Sequence, residues 1–258
     1  MTIDFAEILV ARQRLAGRVL RTPQREAGAL SARLGVPVQL KCEHHQTTGS
    51  FKLRGATNAV LALDPARREA GVVAASTGNH GRALAHAAAA AGTRAVICMS
   101  RLVPANKVQA IEALGAEIRI VGNSQDDAQV EVDRLAAEAG MTPVPPFDHA
   151  DVIAGQGTLG LEMLEDAPFA TTVLVPLSGG GLLSGVALAL RTLNPAIRII
   201  GVTMENGAAM QASLAAGKPV MVEEVPTLAD SLGGGIGLEN RHTFTMVRDL
   251  VDDVVLVG

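Results

Sequence analysis

Tryptophan and tyrosine are absent from the 258 residues, and phenylalanine occurs only 5 times. Stacking platforms for nucleic-acid bases are therefore scarce. No run of Lys and Arg offers a phosphate-backbone patch, and the net charge is a mild −4. The 2 cysteines, Cys42 and Cys98, lie far apart in apolar stretches. They cannot found a disulfide framework and read as buried thiols of a reducing compartment. A catalytic thiol is the weaker reading, because neither has a partner nearby in sequence. Metal-ligand spacing is missing too: His44 and His45 are adjacent, and His80 and His86 do not form an i, i+4 pair. Met1 to Val10 carries Asp4 and Glu7 and lacks the basic-then-apolar pattern of a signal peptide. The uncharged stretch Ala170 to Leu190 is broken by Pro176 and by Ser178-Gly179-Gly180-Gly181. A strand, a glycine turn and a helix explain it better than a bilayer span. The expectation is a cytoplasmic protein with neither nucleic-acid nor membrane partners.

What is present is an apolar-rich chain, 48% hydrophobic, long enough to bury a substantial core. Short apolar runs alternate with longer Ala-rich ones. Strands are predicted at Val38–Lys41, Gly71–Ala75, Ala95–Met99, Glu117–Val121, Thr172–Leu177 and Ile197–Val202. Helices are predicted at Phe5–Leu15, Phe51–Leu63, His80–Ala91, Pro104–Leu114, Asp126–Ala139, Gly155–Glu165, Gly181–Leu190 and Ala208–Ala216. This alternation predicts βαβ units and an α/β fold with parallel sheets flanked by helices. Pro143-Val144-Pro145-Pro146 reads equally as a joint between two lobes or as an ordinary surface loop.

Three stretches carry candidate chemistry. In Ser50-Phe51-Lys52-Leu53-Arg54-Gly55, Ser50 is a candidate N-cap, which places Lys52 in the first turn of a helix. The partial positive charge there, and desolvation in a pocket, would lower its amine pKa. A neutral amine is what imine chemistry needs. On spacing alone, a solvated lysine on an amphipathic helix is the better reading. In Ala75-Ser76-Thr77-Gly78-Asn79-His80-Gly81, a strand-to-helix turn carries more polar side chains than a cap requires, and its N–H groups make an anion site. In Pro176-Leu177-Ser178-Gly179-Gly180-Gly181-Leu182, successive glycines expose N–H groups suited to a phosphate. The pattern is neither a dinucleotide fingerprint nor a nucleoside-triphosphate loop. The second glycine run, Ser231 to Gly237, reads as a flexible turn.

Taken in order along the chain, these stretches resemble the fold-type II pyridoxal-phosphate (PLP) enzymes, in the threonine/serine dehydratase and serine racemase branch. Pro146-Phe147-Asp148, Val152 to Thr158 and Arg248 to Asp253 resemble further family segments. The resemblance implies a two-lobed, tryptophan synthase beta-like fold. Residues 1–47 and 148–258 would form a large PLP-binding domain, and 48–147 a small one. It implies that Lys52 is the Schiff-base lysine and the base at the substrate Cα. Phe51 would pack beside the ring, and Asn79 would bond the ring hydroxyl. Ser178, Gly179, Gly180, Gly181 and Leu182 would bind the phosphate. Ser76, Thr77, Gly78 and His80 would hold the carboxylate of an amino-acid substrate. The implied reaction is β-elimination of hydroxide from a β-hydroxy amino acid to a keto acid and ammonia. The alternatives are a β-replacement enzyme of the cysteine synthase type, or a PLP-binding protein without activity. A homodimer is the family's habit.

Departures from the pattern sharpen this. Thr77 stands where racemases carry the serine of the second acid/base, so racemisation is disfavoured. Ser231 follows Asp230 where dehydratases usually have glycine against the ring. Thr203 and Ala209 replace the carboxylates of the family's divalent-metal segment, so no metal is expected. The family continues past the position of Gly258 to the residue that meets the pyridine nitrogen, so a truncated C-terminus is expected. The segment Ser231 to Arg241 looks most like the hydroxyectoine-utilisation dehydratases, which makes a ring-opened hydroxyectoine derivative a candidate substrate.

Overall fold

The computed structural model describes residues 3–258. In chain order its helices and strands are α1 (Phe5–Leu15), β1 (Gln24–Glu26), α2 (Gly28–Leu34), β2 (Gln39–Lys41), α3 (Lys52–Ala62), α4 (Pro65–Ala70), β3 (Val72–Ala75), α5 (Asn79–Ala90), β4 (Ala95–Met99), α6 (Ala105–Glu112), β5 (Glu117–Ile120), α7 (Gln125–Ala139), β6 (Thr142–Pro143), α8 (Ala150–Asp166), β7 (Thr172–Pro176), α9 (Gly181–Leu193), β8 (Arg198–Met204), α10 (Ala209–Ala216), α11 (Thr243–Leu250) and β9 (Asp253–Val257). A short 3-10 turn, Glu43–His45, precedes α3, and another spans Asp230–Leu232.

The βαβ pattern produces two parallel sheets. One runs β5-β4-β3-β6 and lies wholly within 48–147; the other runs β7-β8-β9 and lies within 148–258. The exception is the first pair: β1 and β2 are antiparallel, with Gln24 opposite Lys41. In the first sheet, β3 and β4 are buried along their whole length. Leu53, Leu84, Ile97 and Ile111 fill one face, and Val73, Val96, Val132 and Leu135 fill the other. Strands covered on both faces read as unbroken apolar runs, which is why Val72–Ala75 and Ala95–Met99 were legible. The second sheet packs Val173, Val175 and Ile199 against Leu183, Val186 and Leu190 of α9 and Val247 of α11.

Local chemistry sets the helix ends. Asp4 and Glu7 form a reciprocal capping box at the start of α1, and Ser124 and Asp127 do the same for α7. The carboxyl end of α7 closes on Gly140 in the left-handed conformation.

Two expectations are corrected. Helix α8 begins at Ala150, not Gly155. The segment Pro143 to Pro146 is not an ordinary surface loop: Pro143 ends β6, Val144 is buried, and Val144 donates its N–H to the Val73 carbonyl.

Helix α8 crosses α3 unusually closely. A Cβ placed on Gly155 would lie 2.7 Å from the Arg54 carbonyl oxygen and from Gly55 Cα. Glycine lets the two backbones meet, and this contact seats the first turn of α3 against the centre of α8.

Candidate active site

The candidate residues converge because three elements begin near one another, each after a turn. Helices α5 and α9 both follow the carboxyl end of a parallel strand, where open α/β sheets form their binding crevices. The segment Val144 to Asp148 ties all three starts together. His80 Nε2 at the start of α5 is 2.7 Å from the Val144 carbonyl oxygen. Lys52 Nζ at the start of α3 donates to the Pro146 carbonyl at 2.7 Å. Phe147 packs on the glycine turn before α9, so closely that a Cβ on Gly179 would fall 2.4 Å from its ring. Asp148 accepts from the backbone N–H groups of Arg241, His242 and Thr243 at 2.6, 2.9 and 3.0 Å, and so caps α11 from a distant part of the chain.

Lys52 lies in the first turn of α3, as expected, and is its first residue, but Ser50 does not cap it. The N-cap is Phe51 in helical conformation, and the Ser50 hydroxyl is buried without a partner. Burial alone pushes the Lys52 amine down to about 8. Its Nζ also lies 5.3 Å from the centre of the Phe51 ring.

In the Ser76–His80 turn, the backbone N–H groups of Thr77, Gly78, Asn79 and His80 have no partner among the described residues. The Asn79 amide and the Thr77 hydroxyl likewise make no hydrogen bond to the protein. These groups are available to an anion. Two predicted side chains are engaged elsewhere. Ser76 Oγ accepts from Gly81 N at 3.0 Å and acts as a cap within the turn. The His80 ring is buried with Nε2 on the Val144 carbonyl, while its backbone N–H stays without a partner among the described residues.

Burial, reinforced by the nearby Lys52 charge, pushes His80 down to about 3. A stability prediction follows. The unfolded chain takes up a proton at this histidine near pH 6.5, whereas the fold refuses it until about 3. Stability therefore falls as pH drops below about 6.5, and the loss is complete near 3. Between pH 7 and pH 5 the His80 share is about 2 kcal/mol. His149, also held below its ordinary value by burial, adds in the same direction. Urea unfolding of the wild type and of His80→Gln at the two pH values checks this. An equal pH dependence in both would remove His80 as the cause.

At the third turn, Gly180 has φ +88°, in the left-handed region, and Gly181 opens α9. Backbone N–H groups from Ser178 through Leu183 find no partner among the described residues, and the first helical bond runs from Ser184 N to Gly180 O. Consecutive free N–H groups at a helix start make an anion cradle, to which the helix dipole adds.

Sequence reasoning missed the groups around Arg54. This side chain is 1% exposed. It forks onto Glu43 with two bonds of 2.9 Å, and onto Glu162 with bonds of 2.7 and 2.9 Å. It also reaches the Leu20 carbonyl and Thr158 Oγ1. Lys41 adds a 2.8 Å bridge to Glu162. The available signal was a lone charge in Leu53 to Val60, a stretch otherwise of apolar, small and uncharged residues. Both cysteines are buried, and burial pushes the Cys98 thiol up to about 11, which leaves it unreactive. Among the described residues no helix is long and apolar enough to cross a membrane.

Comparison with known proteins bears on this geometry. Residues 15–258 match the family model described as pyridoxal-phosphate dependent enzyme. A Sinorhizobium fredii protein described as a candidate threonine dehydratase is 62% identical over 256 residues, covering 99% of this chain and 77% of that protein. The catabolic L-threonine dehydratase of Escherichia coli K12 is 40% identical over 258 residues, covering 100% of this chain and 78% of the enzyme. Among solved structures, maize serine racemase superposes with a TM-score of 0.94 at 39% identity, covering 100% of this chain and 77% of its own.

Proposed function

The chain belongs to the pyridoxal-phosphate dependent enzyme family, and from that premise we propose that it is an ammonia-lyase converting a β-hydroxy amino acid such as threonine or serine to a 2-keto acid and ammonia. The observation that carries this is the shared segment Val144 to Asp148, on which a desolvated lysine, a carboxylate-sized N–H turn and a phosphate-sized N–H turn all rest.

The residues present fit a phosphorylated pyridine aldehyde. The glycine turn offers a row of free N–H groups and no side chain at Gly179, Gly180 or Gly181, matching a phosphate. Lys52 offers an amine lowered to about 8, so that a far larger share of it is neutral near physiological pH than for an ordinary lysine, matching an aldehyde. Asn79 offers an unengaged amide that could meet a ring hydroxyl. When bound, the cofactor supplies the electron sink that acidifies the substrate Cα–H and lets the β-hydroxyl leave.

The protein's own part is orientation and proton handling. We assign the substrate carboxylate to the N–H groups of Thr77 to His80, where the helix dipole favours an anion. Lys52, once its amine is free, accepts the Cα proton; its lowered pKa keeps a share of it in the base form. Phe147 and Phe51 wall the lysine and the glycine turn with apolar surface, which keeps the amine dry. The water lost with the β-hydroxyl is regained on hydrolysis, so the balance is amino acid to keto acid plus ammonia.

Keto acid and ammonia are expected in equal amounts from threonine and serine with the cofactor-loaded protein. Sulfide-dependent product without ammonia would replace this reading with β-replacement. Ring-opened hydroxyectoine belongs in the same assay. The resemblance of Ser231 to Arg241 singles it out, and a clear preference for threonine would remove it.

A further inference from the structure

We propose that Arg54, clamped between Glu43 and Glu162, is a positioning residue that holds the first turn of α3 in register so that the Lys52 amine stays in its dry seat on the Pro146 carbonyl. The inference deepens the lysine assignment above and rests on it. Arg54 lies two positions after Lys52, in the same turn, and makes no contact that would place it against substrate or cofactor. Its partners come from separate elements: Glu43 from the 3-10 turn before α3, Glu162 and Thr158 from α8, and the Leu20 carbonyl from the segment after α1. All of its donors converge on one planar fork, a geometry that fixes orientation as well as distance. Burial opposes the charge, but the two carboxylates raise the guanidinium pKa above its ordinary value.

A turn with no side-chain cap needs such an anchor. Phe51 offers no capping bond, and Ser50 Oγ is unpartnered. The close crossing of Gly55 and Gly155 holds the helix axis in place, and Asn58, one turn further on, donates to the Asp151 carbonyl at 2.7 Å. The arginine fork reaches Thr158 and Glu162 further along the same face of α8, and Glu43 before α3, and so adds a constraint on the first turn. The charges also balance locally: Arg54 and Lys41 face Glu43 and Glu162, and Asp166 joins Lys41 at 3.3 Å. The other titratable groups on the helices packed against α3 are His80, Arg82 and His86 on α5, Asp151 and Glu165 on α8, and Glu7, Arg12 and Arg14 on α1. Asp151 pairs with Arg14 at 3.6 Å, Glu165 pairs with Arg12 at 2.6 Å, and Glu7 is engaged in the capping box of α1. Among the described residues no carboxylate pairs with Lys52, and burial is what lowers its pKa.

The test reads Lys52 directly, in protein freed of cofactor. The pH dependence of its acylation by an amine-reactive reagent, followed by peptide mass spectrometry, gives an apparent pKa. Arg54→Met alone strands the Glu43 carboxylate and leaves Glu162 with Lys41 only, which is expected to destabilise the fold, so it is the wrong probe. Arg54→Lys keeps the charge and loses the fork. The triple variant Arg54→Met, Glu43→Gln, Glu162→Gln removes the charges and the fork together. In both, folded by circular dichroism, the Lys52 pKa is expected to rise from about 8 by about one unit as the loosened turn lets water reach the amine. A value still near about 8 in either folded variant overturns the proposal and makes Arg54 a purely structural residue. Borohydride trapping of cofactor on Lys52 in the wild type is scored separately, so failure of the lysine assignment is distinguishable from failure of this inference.

Discussion

Replacing Lys52 with alanine should reduce keto-acid formation by at least about 10³-fold, because it removes both the amine that binds the cofactor and the base at Cα. The chain's lysines are Lys41, Lys52, Lys107 and Lys218, and no other is equipped for the role. Lys41 is held on Glu162, Asp166 and the Thr22 carbonyl, and its donors are engaged there. Lys107 and Lys218 are exposed. Only Lys52 combines burial with an amine lowered to about 8. Borohydride reduction followed by peptide mapping should therefore find the pyridoxyl group on Lys52 in the wild type and on no lysine in the variant. A label on another lysine at wild-type yield would sink the assignment. The variant should melt no lower than the cofactor-free wild type, because desolvating an ammonium costs stability that alanine does not incur. That combination, lost chemistry with retained stability, distinguishes a functional lysine from a structural one.

The parts of the site that were legible in sequence are those written in consecutive residues. Ser76 to Gly81 and Ser178 to Leu182 each sit between an apolar run and a small-residue helix, and the turn chemistry is local. What escaped is tertiary. Glu162 meets Arg54 across 108 residues, and Asp148 caps a helix that starts 95 residues later. The acceptor for Lys52 is a backbone carbonyl, which no side-chain pattern announces. The start of α8 was misplaced for a related reason. Every residue from Val152 to Leu161 is buried, so the helix has no polar face along that stretch and no 3.6-residue period to detect. The β-branched Val152 and Ile153 also weaken the helical signal at its beginning. Ser50 shows the converse error. It has the composition of a cap, but the backbone is already helical at Phe51 and its hydroxyl meets nothing.

Gly181→Ala should weaken cofactor binding about ten- to hundredfold and lower the stability of the folded protein by about 1–3 kcal/mol. A Cβ at this position would lie 2.8 Å from Phe147 Cα and 2.8 Å from the Phe147 carbonyl oxygen. Those are backbone atoms, so no rotamer change relieves the clash. Nor can Phe147 retreat freely. The residue before it accepts from Lys52 at 2.7 Å, and the residue after it receives three N–H bonds from the start of α11. Either the glycine turn moves away from Phe147, which disperses its row of N–H groups, or Phe147 moves and takes the seat of Lys52 with it. Both outcomes loosen the same ligand, one at its phosphate and the other at its aldehyde. Gly28→Ala is the matched control. It lies at the first position of α2, a Cβ there meets nothing within 4 Å, and its φ is not in the left-handed region. That substitution should leave binding unchanged and raise stability by about 0.4–1 kcal/mol through the unfolded state. Titration of the cofactor's visible absorbance gives the affinity, and urea unfolding gives the stability. Wild-type affinity in Gly181→Ala would mean that the glycine turn tolerates displacement and that the phosphate is held elsewhere.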